Sequence, residues 1–269
     1  MRLNGGHPLH LLDKFVAVQP LPLIAVLLFL SLLAAEMIGG QLRKRLQRNS
    51  KNVDAEAAGI DYILTSVFAA LGLLIAFTFG LALDRYEARR DLVVLEANAI
   101  GTAHTRSAFA QEPAGPELRS LLESYASMRL AYGNARFEDR PKLAAKSAIL
   151  RSRLAVVGVA ASQRVSSPPL APALIGSVND VIDVGSEREA INLARVPPSV
   201  IFMLLGYAII SAFISGYSQA KPSVSQRVAN SMLFILLTVA LVTIFDLDRP
   251  ATGTIKVSQQ PMAELIKGF

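Results

Sequence analysis

The sequence predicts an all-α membrane protein with four transmembrane helices in two pairs and a helical-bundle insert between helices two and three. Each of four apolar segments has about the 18 or more nearly uncharged residues that a helix needs to cross a bilayer. The segments lie in two close pairs around a more polar middle. Apolar residues make up 52% of the chain and charged residues only 18%, which is unusually apolar for a soluble domain. The four segments are Leu21–Ile38, Ile60–Leu83, Val200–Tyr217 and Val228–Phe245.

These segments divide the 269 residues into five parts. Residues 1–20 form an N-terminal tail, and residues 21–83 carry helices one and two. Residues 84–197 form the insert, which we expect to lie outside the membrane. Residues 198–246 carry helices three and four, and residues 247–269 form a C-terminal tail.

The first apolar segment has two interpretations, an uncleaved membrane helix or a signal peptide. The stretch before it is weakly basic, and the apolar run is longer than that of a usual signal sequence. The only small-residue cleavage site lies near Ala34–Ala35, and Glu36 and a basic run follow it. Because such a run is typical of stop-transfer, the uncleaved helix is favoured.

Glu36 lies deeper in helix one than interfacial acids usually do, shortly before Gly39 and Gly40. An acid embedded in a membrane is by default a candidate for a functional group. The alternative, which the sequence favours, is that the carboxylate reaches toward Arg43 at the interface.

A basic run follows helix one and contains Arg43, Lys44, Arg45, Arg48 and Lys51 without an acid. Such a run predicts a cytoplasmic 43–59 loop and suits anionic lipid headgroups. The chain is then a multi-pass protein of the inner membrane, with the insert and both termini on the extracytoplasmic side.

The opposite insertion stays open, because three arginines also flank helix two on the supposed outside. They are Arg85, Arg89 and Arg90. Much of the net charge of +6 comes from the basic run after helix one, which suits membrane lipid as a partner. No nucleic-acid-binding signature accompanies the charge.

Helix two offers the best candidate for a pore lining. Phe68, Ile75 and Phe79 recur at helical spacing, and we predict that they form a hydrophobic constriction if several copies meet around an axis. Packing against other helices or lipid is the alternative, and it is favoured. A stripe of small residues, Gly72, Ala76 and Gly80, lies on an adjacent face and suits a close helix contact.

The insert is predicted to be helical throughout. Helix two continues toward Gln111, with Gly101 as its only weak point. Apolar residues at spacings of three and four predict two further helices, one from Leu118 to Tyr132 and one from Leu143 to Ala161. A last helix is predicted over Ala173–Arg195.

Helices three and four follow the insert. The pair Pro197–Pro198 precedes helix three, where proline suits the first turn of a helix. Ser211, Ala212, Ser215 and Gly216 repeat the small-residue pattern, which predicts packing against another helix.

Two segments carry a resemblance to a known family. The first is DRYEARR at 84–90, which continues into EANAIGT at 96–102. The second is DLDRP at 246–250, followed by GTIKVSQQP at 253–261. Together they resemble DUF4239, the bestrophin-like domain family of bacterial membrane proteins. The family motif includes Glu96, Asn98, Gly101, Pro250 and Gly253.

The resemblance implies a four-helix, homo-oligomeric channel that conducts small inorganic anions. Bestrophins keep their large helical regions in the cytoplasm, so the resemblance favours the opposite insertion from the one that the charges predict. The acidic run of their calcium site is not evident in this sequence, and we expect no calcium site.

Connectivity places the ends of helices two and four at the same membrane face. We therefore predict that Asp84 and Arg85 lie near Asp246, Asp248 and Arg249 at the mouth of an ion pathway. Ion pairs that only anchor the helices are the favoured alternative. Within the insert, we expect Glu96 to pair with an arginine such as Arg188, and Asn98 to form a hydrogen bond across the bundle.

No enzyme is expected. The chain has no cysteine, which excludes disulfides and thiol catalysis. His7, His10 and His104 form no metal-ligand pattern, and neither a phosphate-binding loop nor a catalytic triad is evident. We expect no cofactor and no metal.

Three functions remain after these exclusions. An oligomeric anion channel of bestrophin-like type comes first because of the resemblance. A membrane-anchored helical sensor or scaffold that works through a separate partner is the second. A small oligomeric transporter is the third, although four helices without a repeat are few for a transporter.

Overall fold

The computed structural model describes residues 19–47, 54–219, 222–249 and 252–269. The described residues form α-helices and two short 3-10 turns, Ser107–Phe109 and Pro168–Leu170, with no strand. The all-helical fold is therefore confirmed over these ranges. The helices are α1 (Leu21–Gln47), α2 (Asp54–Arg106), α3 (Ala114–Asn134), α4 (Arg140–Ser162), α5 (Ala171–Leu193), α6 (Pro198–Ser218), α7 (Val224–Leu247) and α8 (Gln260–Lys267).

Four helical stretches of the described residues are long and apolar enough to cross a membrane. They lie in α1, α2, the region that ends with α6, and α7, with a mean hydropathy of 2.0–2.4. Their positions agree with the four apolar segments of the sequence. The chain is thus a membrane protein with four candidate spans.

The helices form two compact units. The transmembrane unit comprises the described residues of Met1–Leu83 and Arg195–Arg249, and the insert unit comprises those of Asp84–Ala194 and Pro250–Phe269. The C-terminal segment, which the sequence analysis treated as a tail, belongs to the insert unit from residue 252 onward and forms α8.

Within the transmembrane unit, α1 packs mainly against α6 and also contacts α7. The core is apolar and includes Leu32, Leu71, Leu204 and Phe234, each almost completely buried. Each of these side chains contributes roughly 2–3 kcal/mol of burial free energy relative to water. In a membrane, however, lipid is as apolar as the core, so the fit between helices decides which faces meet.

Small residues bring α1 and α6 into close contact. A Cβ atom at Gly39 would overlap the carbonyl oxygen of Phe213, and one at Gly216 would overlap the carbonyl oxygen of Glu36. Ala212, one turn before Gly216, is fully buried. The predicted packing role of the small residues in α6 is therefore confirmed.

The small-residue stripe of α2 makes no such contact inside the chain. A Cβ atom at Gly72 or Gly80 would meet no heavy atom of the described residues within 4 Å. Leu73 and Phe77, on the same stretch of helix, are 56% and 68% exposed. Among the described residues of one chain the stripe makes no close helix contact, so the predicted contact stays a prediction; Gly39 and Gly216 make the close contact of this unit.

The insert unit buries its own core. Tyr125, Leu118 and Leu122 of α3 pack with residues of α2, α4 and α5, and all three are fully buried. Met262 of α8 is also fully buried, and Leu265 of α8 covers Gly101. Helix α2 ends at Arg106, a few residues before the predicted end, and α3, α4 and α5 lie within a few residues of their predicted positions. Helix α8 was not predicted from the sequence.

Candidate functional site

A hydrogen bond joins an acid and an amide at the end of α1. Glu36 is half-buried on α1, one turn before the close contact at Gly39. The side-chain amide of Asn230 on α7 donates to Glu36 Oε1 over 2.5 Å, and Asn230 is only 9% exposed. An ionisable side chain in a membrane helix usually has such a polar partner.

Arg43 does not pair with Glu36. Its guanidinium donates to the carbonyl oxygens of Tyr217 and Ser218 over 2.9 and 2.8 Å, and it lies 5.8 Å from the Tyr217 ring centroid. A cation at these carbonyls satisfies the free acceptors at the C-terminal end of α6 and suits the helix dipole. The predicted approach of Glu36 to Arg43 is therefore wrong, because the end of α6 binds Arg43 instead.

An open polar cavity of about 310 Å³ adjoins Glu36. Its wall contains one acid, Glu36, and two cations, Lys44 of α1 and Arg227 of α7. Amide side chains of Gln41 and Gln219 add donors and acceptors. The charged wall thus combines two positive charges with one negative charge.

An apolar groove of about 580 Å³ lies between α2, α6 and α7. Phe68, Gly72 and Ile75 form its α2 side, and Ser215 and Asn230 contribute polar groups from the other helices. Phe79 is not among the groove residues and is 38% exposed. Two of the three predicted constriction residues therefore line one groove, although a constriction itself stays a prediction.

The groove and the polar cavity are linked by shared residues. Gln219 lines both, and Asn230 in the groove donates to Glu36 in the polar cavity. Asn230 therefore connects the carboxylate of Glu36 with the groove that α2 lines. We call these two cavities together the α2 groove site.

Two motif residues at the end of α7 bind backbone segments that lie just before α6 and α1. Asp248 Oδ1 accepts a hydrogen bond of 2.9 Å from the backbone N–H of Val196, just before α6. Arg249 donates to the carbonyl oxygen of Gln19, just before α1, over 2.8 Å. Asp246, Asp248 and Arg249 are 5%, 7% and 2% exposed. The contacts of Asp248 and Arg249 give these two residues a structural role.

Asp84 and Arg85 lie on α2 in the insert unit, whereas the other mouth residues lie in the transmembrane unit. Asp84 is exposed and Arg85 is half-buried. The shared ion mouth therefore stays a prediction.

Glu96 is the centre of a buried charge network in the insert unit. Its carboxylate accepts hydrogen bonds from Arg129 Nε over 2.6 Å, from Arg188 over 2.5 Å and from the Tyr125 hydroxyl over 3.0 Å. Arg129 also reaches Glu189 at 2.9 Å. The predicted pair of Glu96 with Arg188 is confirmed.

The surroundings in this network raise the pKa values of Tyr125 and Arg129. Burial, reinforced by the charge of Glu96, raises the pKa of Tyr125, so the hydroxyl stays protonated and donates. Burial alone would lower the pKa of Arg129, but Glu96, Tyr125 and Glu189 together raise it above its usual value. Arg129 therefore stays charged and Tyr125 stays neutral across the physiological pH range.

The other family-motif residues have different surroundings. Asn98 is exposed, and no hydrogen bond crosses the bundle from it in the described ranges, so that prediction is wrong. The reason is its helical position, since Ala97 and Ile100 occupy the buried face of α2. Gly253 is buried, and Pro250 lies outside the described residues.

Asn230, Arg129 and Glu189 are site residues that the sequence analysis missed. The sequence does contain a signal for Asn230, because an amide inside the apolar run of the fourth membrane helix, α7, needs a polar partner. The sequence contains no such signal for Arg129, because nothing in the pattern around it distinguishes a buried arginine from an exposed one.

Comparison with known proteins gave one family match. A family model for the bestrophin-like domain matches residues 25–262 of the chain. No curated protein and no solved structure matches significantly.

Proposed function

Because the chain belongs to the bestrophin-like domain family, we propose that it is a homo-oligomeric channel for small inorganic anions. The family match extends from α1 into α8 and includes all four candidate membrane spans. The observation that carries the proposal is the α2 groove site, because it combines an apolar helix face with polar groups at membrane depth.

The apolar face of α2 supports a hydrophobic constriction. Phe68 and Ile75 lie two turns apart on one side of the helix and line the same groove. When symmetric copies bring such a face toward one axis, bulky side chains narrow a pore and resist wetting. The alternative that the sequence favours is packing against lipid or other helices. In that case, substitution of the same residues would not change ion flux.

The small-residue stripe of α2 supports oligomerisation. Gly72 and Gly80 leave open space at the helix surface, and Ala76 between them is exposed. Membrane helices associate through such small residues because their backbones then approach closely. A second copy of this chain is our proposed occupant of the stripe.

Charge in the polar cavity supports anions. Lys44 and Arg227 line it, and the one carboxylate there, Glu36, accepts a hydrogen bond from Asn230. Positive side chains near a pore concentrate anions, whereas a fully exposed acid would repel them. We expect the cavity to raise the local anion concentration.

Flux into liposomes tests the proposal. Purified protein is reconstituted into liposomes, and halide entry is followed by quenching of a trapped fluorophore. Ile75→Ala and Phe68→Ala are expected to increase halide flux several-fold, because smaller side chains widen an apolar constriction. Leu73→Ala is the matched control, since Leu73 is 56% exposed and lies outside the groove.

Two results would count against the channel. One is flux no greater than in empty liposomes; the other is an equal effect of Leu73→Ala and Ile75→Ala. The second result would mean that α2 contacts only lipid. Any apolar substitution on this helix would then change halide flux, whether or not the residue lines a constriction.

Single cysteines test the oligomer. The chain has no cysteine, so any disulfide formed by one introduced cysteine joins two copies. Ala76→Cys is expected to cross-link in oxidised membranes, whereas Leu236→Cys, 68% exposed on α7, is expected not to. Equal cross-linking of both variants, or none in Ala76→Cys, would contradict contact through α2.

A further inference from the structure

The insert unit contains a second cavity that the channel proposal does not use. Its volume is about 140 Å³, and α2, α3, α5, the first residue of α4 and the segment before α8 form its wall. All of its lining residues belong to the insert unit. They are Arg89, Val93, Tyr132, Gly133, Asn134, Ala135, Arg140, Arg188, Asn192, Lys256, Val257 and Gln259.

Positive charge dominates this cavity. Arg89, Arg140, Arg188 and Lys256 line it, and none of the lining residues is an acid. Arg89 and Arg188 are each only 2% exposed. Arg188 is paired with Glu96, but three further cations line the same small space, and all of them attract an anion that enters it.

The buried network fixes one wall of the cavity. Arg188 donates to Glu96 and, over 2.5 Å, to the side-chain oxygen of Gln259. Gln259 in turn donates to the carbonyl oxygen of Val257. A Cβ atom at Gly133 would overlap the Gln259 side chain, so glycine leaves the space that Gln259 occupies. Arg188 is therefore held in place before any ligand binds.

Other polar lining residues are more accessible than Arg89 and Arg188. Arg140 lies 5.6 Å from the Tyr132 ring centroid, Lys256 is exposed, and Asn192 is half-buried. These side chains can approach a ligand without breaking the buried network. The cavity thus combines buried arginines with more accessible donors.

We propose that this cavity binds a phosphoryl group. Guanidinium groups match the oxygens of a tetrahedral oxyanion in pairs, and Lys256 adds a point charge. Asn134 and Asn192 supply neutral donors. The cavity has room for a group of phosphate size. The phosphoryl group comes either from free phosphate or from a phosphomonoester lipid headgroup.

Thermal stability of the full-length protein in detergent tests the site with inorganic phosphate as the probe. Phosphate is expected to raise the melting temperature in a saturable manner, and chloride at matched ionic strength is expected not to do so. Lys256→Met and Arg140→Gln are expected to weaken the apparent phosphate affinity at least tenfold. Lys146→Met and Arg153→Gln, exposed on α4, are the matched controls.

The source of the phosphoryl group is distinguished in nanodiscs of phosphatidylcholine with and without phosphatidic acid. Stabilisation by phosphatidic acid that Lys256→Met removes, without a response to free phosphate, assigns the site to a lipid headgroup. A response to free phosphate assigns it to the soluble ion. If neither probe stabilises the protein, or if Lys256→Met and Lys146→Met respond alike, the proposal is wrong.

Discussion

Replacing Glu96 with glutamine removes the centre of the buried charge network. The Glu96 side chain is fully buried, and its two oxygens serve Arg129, Arg188 and Tyr125. Glutamine keeps the size and one acceptor oxygen but loses the negative charge. The buried guanidinium groups of Arg129 and Arg188 then lose the carboxylate that both of them contact.

The expected loss follows from the contacts that remain. Arg129 still reaches Glu189 at 2.9 Å, whereas Arg188 keeps only the neutral Gln259. Breaking a buried ion pair on one side costs about 3–5 kcal/mol, so we expect about 4 kcal/mol for Glu96→Gln. In a unit of roughly 130 residues, 1 kcal/mol lowers the melting temperature by about 3–5 °C. The insert unit should therefore melt about 12–20 °C lower.

The assay is far-UV circular dichroism of the purified protein during heating, with hydrogen exchange reporting separately on α3 to α5. Glu123→Gln is the matched control, because Glu123 is 42% exposed and pairs with His104 at the surface. A surface pair contributes less than about 1 kcal/mol, so this control should lose less than about 5 °C. If both variants melt alike, the carboxylate of Glu96 does not hold the network, and the reasoning is refuted.

Three further predictions concern the transmembrane unit. Gly216→Ala should yield aggregated protein in size-exclusion chromatography, whereas Gly206→Ala, where a Cβ atom meets open space on the same helix, should remain monodisperse. The same outcome for both would contradict the close contact of α1 and α6. Asp248→Asn should keep the fold and the halide flux, because an amide oxygen can still accept from Val196; a changed flux in folded protein would restore Asp248 to the ion mouth. Asn230→Ala should lower halide flux by about tenfold, since a loss of about 1–3 kcal/mol of hydrogen bonding frees the carboxylate of Glu36, and unchanged flux would remove Glu36 from the pathway.

Much of the helical fold could be predicted because its signals are local. Apolar runs and spacings of three and four placed the membrane helices and those of the insert within a few residues. The pair of Glu96 and Arg188 was also predictable, because an acid on a buried helix face requires a cation from elsewhere in the bundle.

The partners of individual side chains were less predictable, because they depend on which helices meet. The small residues of α2 and of α1 look alike in the sequence. Among the described residues, however, Gly39 and Gly40 of α1 lie against the backbone of α6, whereas a Cβ atom at Gly72 or Gly80 of α2 would meet nothing within 4 Å. Glu36 has a nearby cation along its own helix, but the free carbonyls at the end of α6 bind Arg43 and leave Glu36 to Asn230. The periodicity of a helix shows which of its faces are apolar or lined by small residues. It does not show which other helix each face contacts.

The zero-current potential across a planar bilayer tests the central claim most directly. Purified protein is inserted between two chambers of unequal potassium chloride concentration, and the voltage at which current vanishes is measured. An anion channel predicts a voltage close to the equilibrium potential of chloride. A voltage at the potassium potential, or the absence of channel current from well-folded protein, would contradict the account.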